Sequence, residues 1–192
     1  MNEQAKQAKR SPGGGTEPRV LGRGRYLTLV DEGGWEYVVR ANVTGIVVIV
    51  AVTAEGKLLL VEQWRPAVHN RVIELPAGLV GDVDAHEPLQ DAAARELVEE
   101  TGFAARQLRP IGAGPIAVGV SDEVISFFQA LDLTRVGPGG GDATEAITVH
   151  EVPLSELQPF LAARAAAGLA VDPKIYAGLF LAGVGPSQKV TP

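Results

Sequence analysis

Apolar residues in the first half of the chain either alternate with polar ones or run together, and both patterns predict β-strands. The alternating segments 26–30 and 35–39 flank a turn at 31–34, which indicates an antiparallel hairpin. The unbroken β-branched run 46–52 is typical of a strand buried on both faces. Further strands are predicted at 58–63, 72–75, 124–131 and 147–152.

A helical period appears at three places. The clearest helix is 88–101, because Pro88 suits the first position of a helix and Gly102 suits the residue just past its end. Two later helices are predicted at 155–167 and 173–182. The order of strands, one helix, strands and then helices indicates an α+β fold, an α/β/α sandwich with a mixed sheet, and not a regular βαβ array.

Composition narrows the class of protein. The chain has 192 residues and is 46% hydrophobic, which suits one compact domain. Cysteine is absent, which excludes a disulfide framework and a Cys-type zinc site and fits a reducing cytoplasm. No apolar run reaches the roughly 20 residues that span a bilayer. We therefore expect a cytoplasmic protein that does not insert into membranes.

Charge is distributed unevenly along the chain. The net charge is −6, although the first 25 residues are basic. A basic footprint over the whole chain is missing, so we expect no nucleic-acid partner. We interpret 1–18 as a disordered tail, 19–42 as the N-terminal β-hairpin region, 43–185 as the main domain and 186–192 as a second tail.

Three glutamates crowd the end of the predicted helix 88–101. Glu96, Glu99 and Glu100 are spaced so that they share one turn, where like charges destabilise the helix and oppose its dipole. One interpretation is a solvated acidic face with Arg95 as local counter-charge. The other is a site for Mg²⁺ or Mn²⁺, which prefer clustered carboxylate oxygens. The helix alone leaves both open.

The residues around this helix favour the metal site. Gly81 is followed after five residues by Glu87 and after seven more by the sequence from Arg95 to Phe103, Arg-Glu-Leu-Val-Glu-Glu-Thr-Gly-Phe. Every specified position resembles the Nudix box of the Nudix hydrolase family. The resemblance implies the Nudix sandwich fold with its loop-helix-loop.

The resemblance also implies roles for the residues of the box. The metal ligands would be the carboxylates of Glu96, Glu99 and Glu100. The expected structural residues of the box are Gly81, Glu87, Arg95 and Gly102.

A Pro-Ala-Gly sequence departs from the spacing of the family. In the sugar-nucleotide branch, this sequence supplies the first glycine of the box, but here Gly78 lies three residues too far from Glu87. Either the loop carries an insertion, or the box begins at Gly81. By resemblance, the carbonyl of Ala77 is a further expected metal ligand.

Segments outside the box resemble the ADP-ribose pyrophosphatase-like branch. The stretch 61–66 resembles its Glu-Gln-aromatic-Arg segment and implies that Arg65 binds phosphate, although a surface arginine at a strand end is the alternative. The Gly-x-Ser-Asp-Glu sequence at 119–123 resembles another motif of the branch, with Val118 where proline is typical. Glu123 is its expected contact to base or ribose, and the alternative is a solvated acid.

A glycine-rich segment precedes the predicted strand 147–152. It resembles a mobile loop whose glutamate organises or deprotonates the attacking water, and Glu145 is the matching residue. Gly139–Gly141 would supply the flexibility that closure of such a loop needs. We therefore expect Glu145 and Glu99 to be the catalytic residues, and an ordinary acidic loop is the alternative for Glu145.

The expected reaction follows from charge. A pyrophosphate and three carboxylates repel one another unless divalent cations, Mg²⁺ or alternatively Mn²⁺, lie between them, and such cations also lower the pKa of a bound water. The resemblance implies hydrolysis of a nucleoside diphosphate sugar, with ADP-ribose giving AMP and ribose 5-phosphate. A GDP-mannose-type hydrolase and a non-catalytic nucleotide-binding module are the alternatives.

The resemblance implies a homodimer. The N-terminal strands, about 19–40, would exchange between subunits, and Trp35 or Tyr37 would stack on the base in the partner's site. Packing within the hairpin is the other interpretation of these two rings.

Overall fold

The computed structural model describes residues 17–81, 84–141 and 146–185. These residues form two compact units. The first unit contains 17–41 together with Ala117–Asp122, a segment that the sequence pattern placed within 43–185. The second unit contains the described residues from Asn42 to Ile116 and from Glu123 onward.

The first unit is an antiparallel sheet of strands β1 (Arg19–Arg23), β2 (Leu27–Glu32) and β3 (Trp35–Arg40), in that spatial order. The predicted hairpin is confirmed as the β2–β3 pair, and β1 adds a third strand to it. Gly33 and Gly34 make the hairpin turn with φ of 63° and 92°, values that glycine adopts without strain. The Val38 amide donates to the Val120 carbonyl at 2.8 Å and joins the segment 117–122 to this sheet.

The second unit has two four-stranded sheets, with spatial orders β10-β5-β6-β11 and β7-β4-β9-β8. Most neighbouring strands are antiparallel, but β4 is parallel to β9 and β11 is parallel to β6, so both sheets are mixed. The strands are β4 (Gly45–Ala51), β5 (Lys57–Arg65), β6 (Asn70–Glu74), β7 (Ala77–Val80), β8 (Phe103–Pro115), β9 (Val124–Arg135), β10 (Thr148–Pro153) and β11 (Ala170–Val171).

The described residues of this unit include three α-helices, α1 (Leu89–Thr101), α2 (Leu157–Ala166) and α3 (Lys174–Ala182). All three lie close to the predicted positions. Pro88 differs from the expectation, because it precedes the first helical residue with an extended backbone, φ −66° and ψ 145°. No helix in the described part of the chain is long and apolar enough to cross a bilayer.

Strand β4 lies at the centre of the core. Its side chains alternate, so that Val48 and Val50 pack in the cluster that includes residues of α2 and α3, while Val47 and Ile49 pack in the cluster that includes α1. Each such fully buried aliphatic side chain stabilises the fold by about 1.5–3 kcal/mol. The buried run therefore fixes a sandwich of helix, strands and helices, as the pattern predicted.

Strand β8 was not predicted, although it is 13 residues long. Its sequence contains Pro110, Gly112 and Gly114, which are typical of loops. In the structure β8 is the outermost strand of its sheet, and its register shifts between Pro110 and Gly112. Proline is tolerated in a strand at such an edge or bulge, because no neighbour requires its missing N–H.

Candidate active site

Helix α1 is fixed on one side by small and aliphatic residues. Ala92, Ala93 and Leu97 are fully buried in the core. Gly102 ends the helix in the left-handed conformation, φ 75°, and its amide donates to the Val98 carbonyl at 2.9 Å. This orientation leaves the last two turns beside strand β7, where the predicted metal ligands lie.

Glu100 is buried against strand β7, with 2% of the residue exposed. Its Oε2 atom accepts a hydrogen bond from the Ala77 amide at 3.0 Å. The structure thus brings together two of the residues predicted to bind metal, one from the helix and one from the strand. A buried carboxylate needs such a partner, because its desolvation would otherwise be costly.

Glu96 lies directly against Gly78. A Cβ atom added to Gly78 would stand 1.9 Å from the Glu96 Cδ and 2.0 Å from its Oε1. Only a residue without a side chain leaves room for the carboxylate at this point of β7. Gly78, which follows Ala77, therefore provides the space that the side chain of Glu96, a predicted metal ligand, occupies.

Arg95 is the cation that holds this acidic region together. Its Nε and Nη2 donate to the two carboxylate oxygens of Glu87 at 2.9 and 3.1 Å, which is a bidentate pair. Its Nη1 donates to Glu96 at 2.8 Å and to Glu99 at 3.2 Å, and Nη2 also reaches the Leu79 carbonyl at 3.2 Å. One guanidinium thus faces three carboxylates.

The pKa values of the pair reflect these contacts. The hydrogen bond from Arg95, helped by one from the Gly81 backbone, holds the pKa of Glu87 below its ordinary value. The hydrogen bond to Glu87 and the charge of Glu96 raise the pKa of Arg95. Both groups stay charged at neutral pH, so Glu87 and Arg95 link the loop to the helix as an ion pair.

The two candidate first glycines of the Nudix box have separate tasks. Gly78 makes room for Glu96, whereas Gly81, with φ 87°, turns the chain and bonds to Glu87 through its backbone. The three additional residues between Gly78 and Glu87 therefore allow both glycines to be present, each with its own role.

Replacing Glu87 with glutamine should make stability less dependent on pH. The folded pKa of Glu87 is lowered, so its contribution is present above the unfolded value near 4.5 and is lost as pH falls through the folded pKa. At pH 7 we expect Glu87→Gln to lower the free energy of unfolding by about 1.5–3 kcal/mol. Urea unfolding at pH 7 and at about pH 3 measures the difference.

Glu36→Gln, at an exposed strand position, is the control for this variant. A stability difference between wild type and Glu87→Gln that stays constant between the two pH values would contradict the assignment.

The three helix carboxylates are not drawn together into one cluster. Among the residues that the structure describes, no group of three or more Asp, Glu and His side chains is arranged to hold a metal ion. Glu100 turns to Ala77, while Glu96 and Glu99 turn to Arg95. The donors are nonetheless the hard oxygen atoms that Mg²⁺ prefers, and Glu99 remains open, with 47% of its side chain exposed.

Arg65 has a buried partner that the sequence did not identify. Its Nε donates to Glu74 Oε2 at 2.7 Å, and 43% of the Arg65 side chain is exposed. Burial raises the pKa of Glu74, although the hydrogen bond from Arg65 opposes the shift. Glu74 is the last residue of β6 and lies three residues before Ala77. It is therefore close in sequence to β7, the strand that contacts Glu100.

The structure places the remaining predicted residues as follows. Glu123 precedes β9 and is partly buried, and its carbonyl accepts from the Ile116 amide at 3.3 Å. In the first unit, Trp35 is 62% exposed, and the Tyr37 hydroxyl donates to Glu32 at 3.0 Å. Glu145 lies outside the described residues.

Gly139–Gly141, predicted to provide flexibility, have a packing role in the structure. The amides of Gly140 and Gly141 bond to carbonyls of α1, and a Cβ on Gly139 would meet the Thr101 backbone at 2.4 Å. The repeated glycines were apparent in the sequence, but their contact with helix α1 could not be predicted from it.

The comparisons with known proteins identify the family. The family model described as NUDIX domain matches residues 43–170. The chain belongs to the Nudix family. The described part of this Nudix domain has the box helix, with the box glutamates in its last two turns.

Two relatives extend the comparison. The ADP-ribose pyrophosphatase of Bacillus subtilis (strain 168) is 35% identical over 113 residues, 58% of this chain and 60% of that protein. The GDP-mannose pyrophosphatase of Enterobacter sp. (strain 638) is 34% identical over 107 residues, 52% of this chain and 54% of that protein. This Nudix chain thus aligns with about three fifths or less of each relative, and both names describe those proteins.

A solved structure supports the Nudix fold. The crystal structure of an ADP compounds hydrolase superposes on this chain with a TM-score of 0.64. The aligned region covers 88% of this chain and 93% of the chain in that structure. The identity is 24%, so the likeness concerns the fold alone.

Proposed function

We propose that this chain is a divalent-metal-dependent Nudix pyrophosphohydrolase that cleaves the pyrophosphate of a nucleoside diphosphate sugar, with ADP-ribose as the first candidate. The packing of Ala77 and Gly78 against Glu100 and Glu96 supports the proposal most directly. It places the backbone of strand β7 beside the acidic end of helix α1, and the proposed site takes its oxygen atoms from these two elements.

The proposed metal ligands are Glu96, Glu99, Glu100 and the Ala77 carbonyl, and the proposed metal is Mg²⁺, with Mn²⁺ as a substitute. When bound, such cations neutralise phosphate charge and lower the pKa of a coordinated water. The chain's own contribution is to hold these oxygens in place. Arg95 supports this by keeping Glu96 and Glu99 on one side of the helix.

We propose that Arg65 binds a substrate phosphate. Its Nε is engaged by Glu74, which fixes the plane of the guanidinium. The exposed part of the side chain can then present its Nη groups to a phosphate as a fork. Glu99, the most exposed of the three box glutamates, and Glu145 are the proposed residues that orient or deprotonate the attacking water.

A substrate panel tests the proposal. The full chain is incubated with Mg²⁺ and ADP-ribose, GDP-mannose, NADH, diadenosine polyphosphates or nucleoside triphosphates, and the products are identified. We expect AMP and ribose 5-phosphate from ADP-ribose. Release of inorganic pyrophosphate from triphosphates alone would contradict the proposed substrate class.

A GDP-mannose-type hydrolase is the second candidate. The similarity to a GDP-mannose pyrophosphatase is of the same order as the similarity to the ADP-ribose enzyme. GMP released from GDP-mannose, at a higher kcat/KM than AMP from ADP-ribose, would favour it. Tight nucleotide binding without turnover of any compound would instead favour a non-catalytic module.

We also propose a homodimer formed through the first unit. Of the residues in its three strands only Val30 is buried, and Trp35 is 62% exposed. A three-stranded sheet with so little core gains stability when a second surface covers it. Trp35 and Tyr37 are then candidates to contact the base in the partner's site. Light scattering of the full chain gives the mass that tests this, and a monomer at micromolar concentration would contradict it.

A further inference from the structure

Arg95 offsets the charge of the Glu96 and Glu99 side chains, but it does not supply partners for the backbone carbonyls at the C-terminal end of α1. Glu96, Glu99 and Glu100 lie near the C-terminal end of the helix, where the helix dipole is negative. No basic residue occupies the last turn. The carbonyl groups of this turn also lack partners within the helix.

Backbone amides from a distant segment supply these partners. The Gly140 amide donates to the Glu100 carbonyl at 2.8 Å, and the Gly141 amide donates to the Glu99 carbonyl at 3.0 Å. The Val136 amide donates to the Gly102 carbonyl at 2.8 Å. Two of these bonds thus end on the backbone of the proposed metal ligands themselves.

Glycine is required for this approach. A Cβ on Gly139 would lie 2.4 Å from the Thr101 carbonyl carbon, and a Cβ on Gly102 would lie 2.2 Å from the Gly137 oxygen. Both contacts are with backbone, which cannot rotate away as the end of a side chain can. Both glycines also have positive φ, 68° and 75°.

We propose that residues 136–141, which we call the glycine clamp, are a positioning element for the metal site. The clamp fixes the backbone of Glu99 and Glu100, and its N–H groups offset the negative end of the helix where carboxylates are needed. Its integrity therefore sets the affinity of the site for divalent cations. The inference rests on the proposed function, because it assumes that these glutamates bind metal.

Gly139→Ala tests the clamp, because the added methyl group must separate the clamp from the helix. Gly168→Ala is the matched control: Gly168 also has positive φ, 90°, and follows helix α2, but its Cβ would have no neighbour within 4 Å. Mn²⁺ binding to the full chain without substrate is measured by electron paramagnetic resonance. The Mg²⁺ dependence of hydrolysis is measured at saturating substrate.

We expect Gly139→Ala to weaken Mn²⁺ binding and to raise the Mg²⁺ concentration for half-maximal activity by about 10- to 100-fold. The KM for ADP-ribose at saturating Mg²⁺ should change much less, and Gly168→Ala should leave both metal measurements near wild type. Unchanged metal affinity in folded Gly139→Ala would overturn the proposal. If that variant does not fold, Gly140→Ala replaces it: its Cβ would meet nothing closer than 3.8 Å, but its φ of 109° strains the backbone whose amide donates to Glu100, whereas Gly168→Ala places a similar strain away from the clamp.

Hydrogen exchange of the wild-type chain separates the clamp from the proposed function. We expect slow exchange at the amides of Gly140 and Gly141, whether or not the chain hydrolyses any nucleotide. Exchange at the rate of an unstructured glycine would show that the clamp does not exist. Slow exchange in a chain that binds neither Mn²⁺ nor Mg²⁺ would instead overturn the metal-positioning role together with the proposed site.

Discussion

Glu100→Gln should lower kcat/KM for ADP-ribose by roughly 100-fold or more while the chain stays folded. The amide oxygen of glutamine can still accept the hydrogen bond that Glu100 receives from the Ala77 amide. What is lost is the negative charge that a divalent cation requires. The substitution therefore removes the charge at this position and keeps the hydrogen bond that supports the fold.

Steady-state kinetics at several Mg²⁺ concentrations, with thermal unfolding of the same samples, measure the effect. Asp91→Asn is the matched control, because Asp91 lies in the first turn of the same helix and is exposed. It should retain activity within a few-fold and lose little stability. If Glu100→Gln is as active as Asp91→Asn, the metal site is not where we place it.

Gly78→Ala should be nearly as damaging to activity, although it adds only one methyl group. That group would stand 1.9 Å from the Glu96 Cδ, so the carboxylate must leave its position. Because the clash is with the end of a flexible side chain, the fold can adapt, and we expect a stability loss of about 1 kcal/mol or less. Activity should fall by roughly 100-fold, since displacement of one ligand disrupts the others.

Gly114→Ala is the control for this variant. Gly114 also lies in a strand, and its Cβ would have no neighbour within 4 Å. Activity and unfolding temperature are measured for both variants. Similar activity in Gly78→Ala and wild type would show that the position of Glu96 is unimportant for the reaction.

Local patterns made much of the fold predictable. Within the run 46–52, residues 47–51 are buried on both faces, so its composition alone indicates a central strand. The alternation around Gly33 and Gly34 indicates the hairpin, because each strand repeats with period two. The helical period and Gly102 at its end indicate helix α1, although Pro88 lies one residue before the first helical residue.

Other elements depend on contacts between distant parts of the chain. Strand β8 has a loop-like sequence and is held in place by its long pairing with β9. Glu74 appears in the sequence as one acid among many, and only its burial beside Arg65 distinguishes it. The contact of Gly140 with Glu100 joins residues 40 positions apart, and no local pattern encodes it.

Some features of the candidate site were likewise predictable from local sequence patterns, and others depend on contacts between distant residues. The residue types and spacing of the three glutamates were predictable from the sequence, because side chains on one helix follow its period. The contact of Gly78 with Glu96 was not predictable, since it depends on how closely β7 packs against α1. The sequence indicated Arg95 as a counter-charge for these carboxylates, but it did not predict the hydrogen bond from the Ala77 amide to Glu100.

The irregular sequence of β8 has a consequence beyond this chain's own fold. A long strand at the margin of a sheet offers a row of free backbone groups to which another molecule can add. Pro110 removes one donor from that row, and the register shift beside Gly112 bends it. Among the described strands β8 has no outer neighbour, so these two features hinder fibril-like stacking of one molecule on the next.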